Sequence, residues 1–317
     1  MSKSRVVSST LVVMCLLSAI SPAQVNNSTK NPLQVATLHW YVANQASAFL
    51  VGSAPNKVAF DGDNIWVANR NANTVSKLRA SDGAVLGTFT VSTPYDIAFD
   101  GSNIWVTNAN PIGILTKLRA SNGAVLGSFS LGGIPAGIAF DGSNIWVVIG
   151  ESNSIAKVRP GDGVVLGTFP VGTTPVYVAF DGLNVWVANA GSNNVTKLRV
   201  SDGTVLGTFT VGKGPEGVAF DGKNMWVTNT SAGSVTELAS DGTTVGTFRV
   251  GSGPIGVAFD GANIWVANSG DGTVTKLQSS TGGNLGTFNA GKTPVGVAFD
   301  GANIWVANSG TDTVSKL

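Results

Sequence analysis

The sequence predicts an all-β fold, a seven-bladed β-propeller with four antiparallel strands in each blade. One unit of about 40 residues occurs seven times, and a fixed period of this length is typical of repeat architectures. Seven tryptophans mark the period at intervals of 39 to 41 residues: Trp66, Trp105, Trp146, Trp186, Trp226, Trp265 and Trp305. Each unit carries four strand signals, which indicates a propeller blade.

The first unit shows how the strands are predicted. Apolar residues alternate with a period of two over 58–60, 65–69, 74–79 and 85–91, as strands require. An Asp-Gly pair separates the first strand from the second, and another separates the third from the fourth. Both residue types tolerate the positive φ of tight turns, so the four strands form an antiparallel meander.

The phenylalanines predict how the ring closes. All fourteen occupy two equivalent positions of the repeat, one ending the first strand and one within the fourth. Phe49 has the fourth-strand position but precedes the first unit, whereas the seventh unit reaches only its third strand at Leu317. We therefore expect residues 48–52 to pair with residues 313–317, which completes the last blade and removes an open sheet edge.

Residues 1–23 have the pattern of a secretory signal peptide. Lys3 and Arg5 precede an apolar run, and small residues surround a possible cleavage position at Ala23. A membrane anchor is the alternative interpretation, but the run is short for a hydrocarbon core of about 30 Å. We therefore expect an exported protein, located in the periplasm, outside the cell or on the cell surface.

Residues 24–45 form a predicted N-terminal extension, and residues 46–317 form the propeller domain. Asn31 followed by Pro32 is typical of a helix start, so a short helix is expected within the extension. Residues 24–30 are polar and are expected to be disordered.

Charge and cysteine content exclude several classes of partner. Removing Lys3 and Arg5 from the 19 basic residues leaves 17 against 18 acidic residues, so the surface offers no electrostatic basis for binding nucleic acid. Apart from the N-terminal run, the sequence contains no candidate membrane span. Cys15 is the only cysteine and lies in the predicted signal peptide, which leaves no Cys-based site for a metal or haem. We expect a monomer without a cofactor.

Three further repeat positions have both structural and functional interpretations. The tryptophans either form a ligand platform or pack between blades, and their apolar neighbours favour packing. The aspartate of Asp-Gly-x-Asn either binds calcium or caps a turn, and one carboxylate per turn favours the turn. The third-strand lysines are interpreted as a solvated outer face: Lys77, Lys117, Lys157, Lys197, Lys276 and Lys316, with Glu237 in the fifth unit.

Candidate binding residues are those that break the repeat. They are expected in the loops before each first strand and after each second strand, which share one face of the propeller. Neutral variation of surface residues is the alternative explanation. The candidate ligand-binding residues are Lys57, Arg70, Tyr95, Asp96, Glu151, Tyr177 and Glu216, and Lys213 and Lys292 also depart from the pattern.

Two family resemblances rest on the repeat motifs. Val-Ala-Phe-Asp-Gly-x-Asn-Ile-Trp-Val-Ala-Asn at 257–268 and Asn-x-Val-x-Lys-Leu at 193–198 resemble the YVTN/NHL-like propeller repeats of bacterial exported proteins. That resemblance covers residues 46–317 and implies binding or surface roles. The repeats are also similar to the streptogramin (virginiamycin B) lyase family, which uses a histidine base with a glutamate and magnesium.

The predicted function is that of an exported, non-catalytic binding or cell-surface interaction module. Its partner is expected to be a protein, a glycan or a small molecule on one propeller face. The alternative is a lyase- or lactonase-like enzyme with a metal-assisted site on the variable face. The only histidine, His39, lies outside residues 46–317, so no catalytic residue is carried over from the lyases and no catalytic or metal-ligating residue is assigned.

Overall fold

Twenty-eight β-strands make up the regular structure of residues 47–317, the part of the chain that this computed structural model describes. The predicted signal peptide and the predicted helix of the N-terminal extension lie outside these residues. No helix forms between residues 47 and 317, in agreement with the all-β prediction.

The strands occupy four equivalent positions in seven sheets, numbered from the centre of the ring outward. The inner strands are β2 (Pro55–Phe60), β6 (Pro94–Phe99), β10 (Pro135–Phe140), β14 (Pro175–Phe180), β18 (Pro215–Phe220), β22 (Pro254–Phe259) and β26 (Pro294–Phe299). The second strands are β3 (Asn64–Asn69), β7 (Asn103–Asn108), β11 (Ile145–Ile149), β15 (Asn184–Asn189), β19 (Met225–Asn229), β23 (Asn263–Asn268) and β27 (Ile304–Asn308).

The third and outer strands complete each sheet. The third strands are β4 (Thr74–Arg79), β8 (Ile114–Arg119), β12 (Ser154–Val158), β16 (Asn194–Arg199), β20 (Ser234–Leu238), β24 (Thr273–Gln278) and β28 (Thr313–Lys316). The outer strands are β5 (Val85–Thr90), β9 (Val125–Ser130), β13 (Val165–Pro170), β17 (Val205–Thr210), β21 (Thr244–Arg249), β25 (Asn284–Asn289) and β1 (Ser47–Leu50).

Seven blades form a closed ring. Blade 1 contains β2 to β5, blades 2 to 6 follow in chain order, and blade 7 contains β26, β27, β28 and β1. Each inner strand contacts the inner strand of the next blade, and β26 contacts β2. The seven inner strands therefore surround a central channel.

Strand β1 closes blade 7, as the phenylalanine pattern predicts. It pairs with β28 in antiparallel register, from Ser47 opposite Lys316 to Leu50 opposite Thr313. The Phe49 ring lies 5.6 Å from the Trp305 ring, the same aromatic pair that Phe89 and Trp66 form in blade 1.

The repeated tryptophans pack between blades, and the repeated aspartates organise turns. Trp66 is fully buried in a cluster with Ile97 and Ile104 of blade 2. The Oδ1 atom of Asp61 accepts hydrogen bonds from backbone N–H groups of the turn, and Oδ2 accepts one from Trp66 Nε1 at 2.7 Å. The same indole bond forms in all seven blades. The predicted packing role of the tryptophans and the predicted turn role of the aspartates are both confirmed. The hydrogen bond between aspartate and tryptophan was not predicted.

The interpretation of the third-strand lysines as a solvated face is wrong. Lys77 is buried, and its Nζ donates to Ala120 O of the next blade at 2.7 Å while lying 5.1 Å from the Trp66 ring centre. We call this arrangement the lysine bridge. It also forms at Lys117, Lys157, Lys197 and Lys316. The error arose because a propeller blade covers both faces of its neighbours, so an alternating strand has no fully solvated face there.

Candidate functional site

The third residue of each inner strand distinguishes the blades from one another. Four blades have glycine here, and the other three have Lys57, Asp96 and Tyr177. The glycines allow close approach of neighbouring strands, since a Cβ on Gly137 would lie 2.6 Å from Tyr177 Cα. A side chain at this position therefore occupies space that the repeat otherwise leaves to the backbone.

Irregular pairing shapes this end of every inner strand. The register between the inner and second strands shifts just after the leading proline, between Pro55 and Lys57 in blade 1 and between Pro94 and Ile97 in blade 2. Such bulges redirect side chains and are common beside functional sites. Lys57, Tyr95, Asp96, Tyr177 and Glu216 thus lie within strands, which corrects the expectation that the candidate residues lie in loops.

Lys57 extends from blade 1 to blade 4. Its Nζ lies 3.7 Å from the centre of the Tyr177 ring, a cation–π contact. The ion pairs of residues 47–317 are three exposed arginine–aspartate pairs, so Lys57 has no carboxylate in ion-pair contact. Its ammonium group also donates no hydrogen bond to another described residue. The three N–H groups of Lys57 are therefore available to another molecule.

Two tyrosines form the next layer of the cluster. The rings of Tyr95 and Tyr177 stack with centroids 6.1 Å apart and planes 15° apart. The Tyr177 hydroxyl donates to the Tyr95 hydroxyl at 3.4 Å. Blade 3 lies between them and has Ala136 and Gly137 at the corresponding positions, which leaves room for the two rings to meet.

Arg70 covers Tyr95 on its solvent side. The guanidinium carbon lies 5.4 Å from the Tyr95 ring centre, and the arginine itself is exposed. Asn56 holds the backbone of the same tyrosine, because its Nδ2 donates to Tyr95 O at 2.6 Å. The tyrosine layer is therefore held by blades 1, 2 and 4.

Asp96 is the acidic member of the cluster and is buried. Oδ1 accepts a hydrogen bond from Ile97 N at 2.8 Å, and Oδ2 accepts one from Ile138 N of blade 3 at 3.1 Å. The Asp96 N–H donates to Thr107 Oγ1, whose hydroxyl donates to Ala136 O. Each carboxylate oxygen of Asp96 therefore keeps acceptor capacity for a second donor.

Burial controls protonation in the cluster. It raises the pKa of Asp96 and of Glu216, and the Lys57 charge opposes both shifts. It lowers the pKa of Lys57, against the attraction of Asp96 and Glu216. Burial also raises the pKa of Tyr177 well above 10.0, with Tyr95 and Asp96 acting in the same direction. The charged groups are thus close enough to influence one another without forming ion pairs.

A cavity of about 150 Å³ adjoins these side chains. Its polar part is formed by Lys57, Asp96 and Tyr177, and its apolar part mainly by the fourth residues of the inner strands. These apolar residues are Ile138, Val178, Val218, Val257 and Val297. The arrangement can accept a small molecule with a polar and an apolar end.

The remaining candidates lie apart from this cluster or are exposed. Glu151 is exposed and does not line the cavity. Lys213 and Lys292 are exposed as well. Among the described residues, no group of three or more His, Cys, Asp or Glu side chains is arranged to hold a metal ion. The same residues include no helix long and apolar enough to cross a membrane.

The sequence analysis missed the supporting residues Thr107 and Asn56. Thr107 replaces the alanine or valine that most second strands have at this position, and this polar change was the available signal. Thr228 shows the same exchange in blade 5 and likewise donates to the next blade, at Ile255 O. The position therefore marks where a hydroxyl connects two inner strands.

Known proteins resemble this chain in structure. A structure of streptogramin B lyase matches with a TM-score of 0.74, 17% identity, and coverage of 86% of this chain and 96% of that one. A catalytically inactive histidine-to-alanine variant of virginiamycin B lyase from Staphylococcus aureus with quinupristin matches with a TM-score of 0.75 at 17% identity, over 86% and 98% of the two chains.

A third match belongs to a different kind of enzyme. Kuenenia stuttgartiensis hydrazine synthase gives a TM-score of 0.74 and 19% identity, with coverage of 84% of this chain and 97% of that one. No family model matches the sequence, and no curated protein matches it. At these identities the likenesses show the seven-bladed propeller fold, and the fold alone does not fix an activity.

Proposed function

We propose that this protein is an exported, non-catalytic binding protein that takes a small ligand at the mouth of its central channel. One observation carries the proposal: three side chains that break the repeat at the same inner-strand position line one cavity. Lys57, Asp96 and Tyr177 replace glycine around the channel, and each contributes to the cavity wall. Export rests on the signal-peptide pattern of residues 1–23.

The chemistry of the cluster favours binding over catalysis. Asp96 is held by two backbone N–H groups, and Tyr177 is capped by the Lys57 ammonium. Neither arrangement presents a base in contact with a nucleophile. The inactive lyase variant shows that a histidine matters in that protein, whereas residues 47–317 of this chain contain no histidine.

A lyase- or lactonase-like activity is the second candidate. The observation that favours it is the carboxyl group of Glu216, whose pKa is raised by burial, beside a lysine in a propeller similar to streptogramin B lyase. A carboxyl group with a raised pKa is suited to general acid–base catalysis. This candidate therefore predicts that Glu216 is essential for turnover.

One set of measurements separates the two functions. The purified protein is incubated with a streptogramin B and with simple lactones, with and without EDTA, and compared with Glu216→Gln and with the exposed control Glu151→Gln. We expect no turnover in any sample. Turnover that Glu216→Gln abolishes and Glu151→Gln retains would establish the enzyme and refute the binding protein.

Binding is tested by a thermal-shift screen across small carboxylates, amines, amino acids, sugars and nucleotides. We expect at least one class to raise the melting temperature of the wild type, as ligands of the native state do. Lys57→Met should lose the effect, and Lys292→Met, which changes an exposed lysine, should keep it. A screen without any stabilising ligand, or with effects independent of Lys57, would refute the proposal.

A further inference from the structure

No described residue accepts a hydrogen bond from the ammonium group of Lys57, so a bound molecule can supply the acceptor. Lys57 is half-buried beside the cavity, and among residues 47–317 its close partner is the face of the Tyr177 ring. A ring face offers attraction but no lone pair, and a charge removed from bulk water is costly unless hydrogen bonds replace the lost hydration. A carboxylate is the acceptor that matches an ammonium group most strongly.

The acidic part of the site favours a positive charge. Each oxygen of Asp96 accepts one backbone hydrogen bond and can accept another. Glu216 is near enough for its charge to interact with that of Lys57. A ligand carrying only a carboxylate would face Lys57 but also these two acids. The site has no net charge, because the two positive charges of Lys57 and Arg70 balance the two negative charges of Asp96 and Glu216. It therefore suits a ligand that carries both a positive and a negative charge.

The cavity limits the size of such a ligand. Its volume of about 150 Å³ is that of a cavity that accommodates benzene, so it can hold a short side chain but not a large ring system. Ile138, Val178 and Val297 supply apolar walls away from the charged groups. The part of the ligand that enters this region is therefore short and apolar.

We propose that the channel site binds a free α-amino acid with a short aliphatic side chain. The ligand carboxylate contacts Lys57, its ammonium group contacts Asp96, and its side chain lies against the valine and isoleucine wall. This inference rests on the proposed function, because it names the ligand class of the same site. It requires no covalent step and no metal ion.

Isothermal titration calorimetry with three matched probes tests the ligand class. L-Valine carries both charges, isovalerate is the same molecule without the amino group, and isobutylamine is the same molecule without the carboxyl group. We expect valine to bind the wild type at least about tenfold more tightly than either single-charge probe, which corresponds to about 1.4 kcal/mol. L-Tryptophan, which exceeds the cavity, should not bind.

Variants assign the two ends of the ligand. Lys57→Met and Asp96→Asn should each weaken valine binding at least about tenfold, and Lys292→Met should leave it unchanged. Because Asp96 is buried, Glu216→Gln serves as a second variant for the ammonium end, and melting temperatures verify that each variant is folded.

The outcomes distinguish this inference from the proposed function. Isovalerate binding as tightly as valine, or valine binding unaffected by Lys57→Met, would overturn the amino-acid assignment. Failure of all three probes, while another class in the thermal-shift screen binds in a Lys57-dependent way, would overturn the assignment and leave the binding function intact. A thermal-shift screen in which no ligand stabilises the protein, or in which stabilisation does not depend on Lys57, would overturn both the assignment and the binding function.

Discussion

At the residue scale, each repeated aspartate joins a turn to the core. The Oδ1 atom of Asp61 organises the turn, whereas Oδ2 accepts the indole N–H of Trp66. Burial opposes ionisation of Asp61, but the hydrogen bonds from Trp66 and from the backbone of Asp63 and Asn64 outweigh it, so the pKa of Asp61 is lowered. One side chain thus satisfies the only polar atom of the largest core residue.

We expect Asp61→Asn to destabilise the protein by about 1–3 kcal/mol, the cost of leaving a buried polar group without its partner. Asparagine can accept with one oxygen, so either the turn or the Trp66 indole loses its bond. Asp63→Asn is the control, because Asp63 is exposed in the same turn. Urea unfolding measures both variants, and equal changes would show that the indole bond contributes nothing.

The same aspartates predict loss of stability in acid. The pKa is lowered for Asp61, Asp100, Asp181, Asp260 and Asp300. A lowered folded-state pKa contributes stability that is fully present above the unfolded value, about 3.9, and is lost as the pH falls through the folded value. We expect the melting temperature to fall steeply below about pH 4. A melting temperature unchanged from pH 5 to pH 2 would contradict this.

At the element scale, the lysine bridges hold neighbouring blades together. Lys197 Nζ donates to Ser240 O at 2.6 Å and lies 4.8 Å from the Trp186 ring centre. A hydrogen bond from a charged donor and a cation–π contact act together in this arrangement. The third strand of one blade is thereby connected to the loop after the third strand of the next.

Lys197→Ala should therefore cost about 1–2 kcal/mol, which is more than a surface substitution. Lys213→Ala, in an exposed loop, should cost under about 0.5 kcal/mol. Chemical denaturation of the two variants and the wild type measures the difference. Indistinguishable denaturation midpoints for the two variants would mean that the lysine bridge contributes no net stability in solution.

Blade 5 lacks the bridge, because Glu237 replaces lysine there. Glu237 is buried and accepts a hydrogen bond from Asn224 Nδ2 at 2.6 Å, whereas five of the equivalent asparagines donate to the turn aspartate of their own blade. Burial raises the pKa of Glu237, against the Asn224 hydrogen bond. An ionised carboxylate cannot donate to a carbonyl of blade 6, so this interblade contact is weaker at neutral pH.

We expect Glu237→Lys to restore the bridge and to stabilise the protein at pH 7 by about 1 kcal/mol. A raised folded-state pKa contributes stability that is present below the unfolded value and lost as the pH rises through the folded value. The advantage of Glu237→Gln over the wild type should accordingly appear as the pH rises above about 4.5. Glu151→Lys makes the same charge change on an exposed residue and should leave the melting temperature unchanged.

At the scale of the whole molecule, the repeat predicted the closed ring but not which side chains meet at its centre. The tryptophan period and the position of Phe49 were enough to predict seven blades and their closure. The cluster of Lys57, Tyr95 and Tyr177 was found through broken symmetry, yet it was placed in loops. The bulge that turns these residues into the channel depends on pairing between strands and has no signature in one repeat.

The contact between Lys57 and Tyr177 also could not be predicted from the sequence. Lys57 and Tyr177 are separated by three blades along the chain, and their meeting depends on the curvature of the closed ring. Glu151 broke the repeat just as clearly but lies on the surface. Departure from a repeat therefore identifies candidates, and only the assembled ring shows which of them share a site.

Closure of this ring depends on β1, and the chain offers a matched pair to test it. Phe49 contacts Trp305 of blade 7 and lies against Gly83 of blade 1, while its neighbour Leu50 is 75% exposed. We expect Phe49→Ala to cost about 3 kcal/mol, as aromatic truncations in cores do, and Leu50→Ala to cost under about 0.5 kcal/mol. Deleting residues 46–52 should cause the largest loss and expose the edge of β28 to pairing between molecules. Melting temperatures with size-exclusion chromatography measure both effects, and a stable, monomeric deletion variant would show that blade 7 holds the ring closed with three strands.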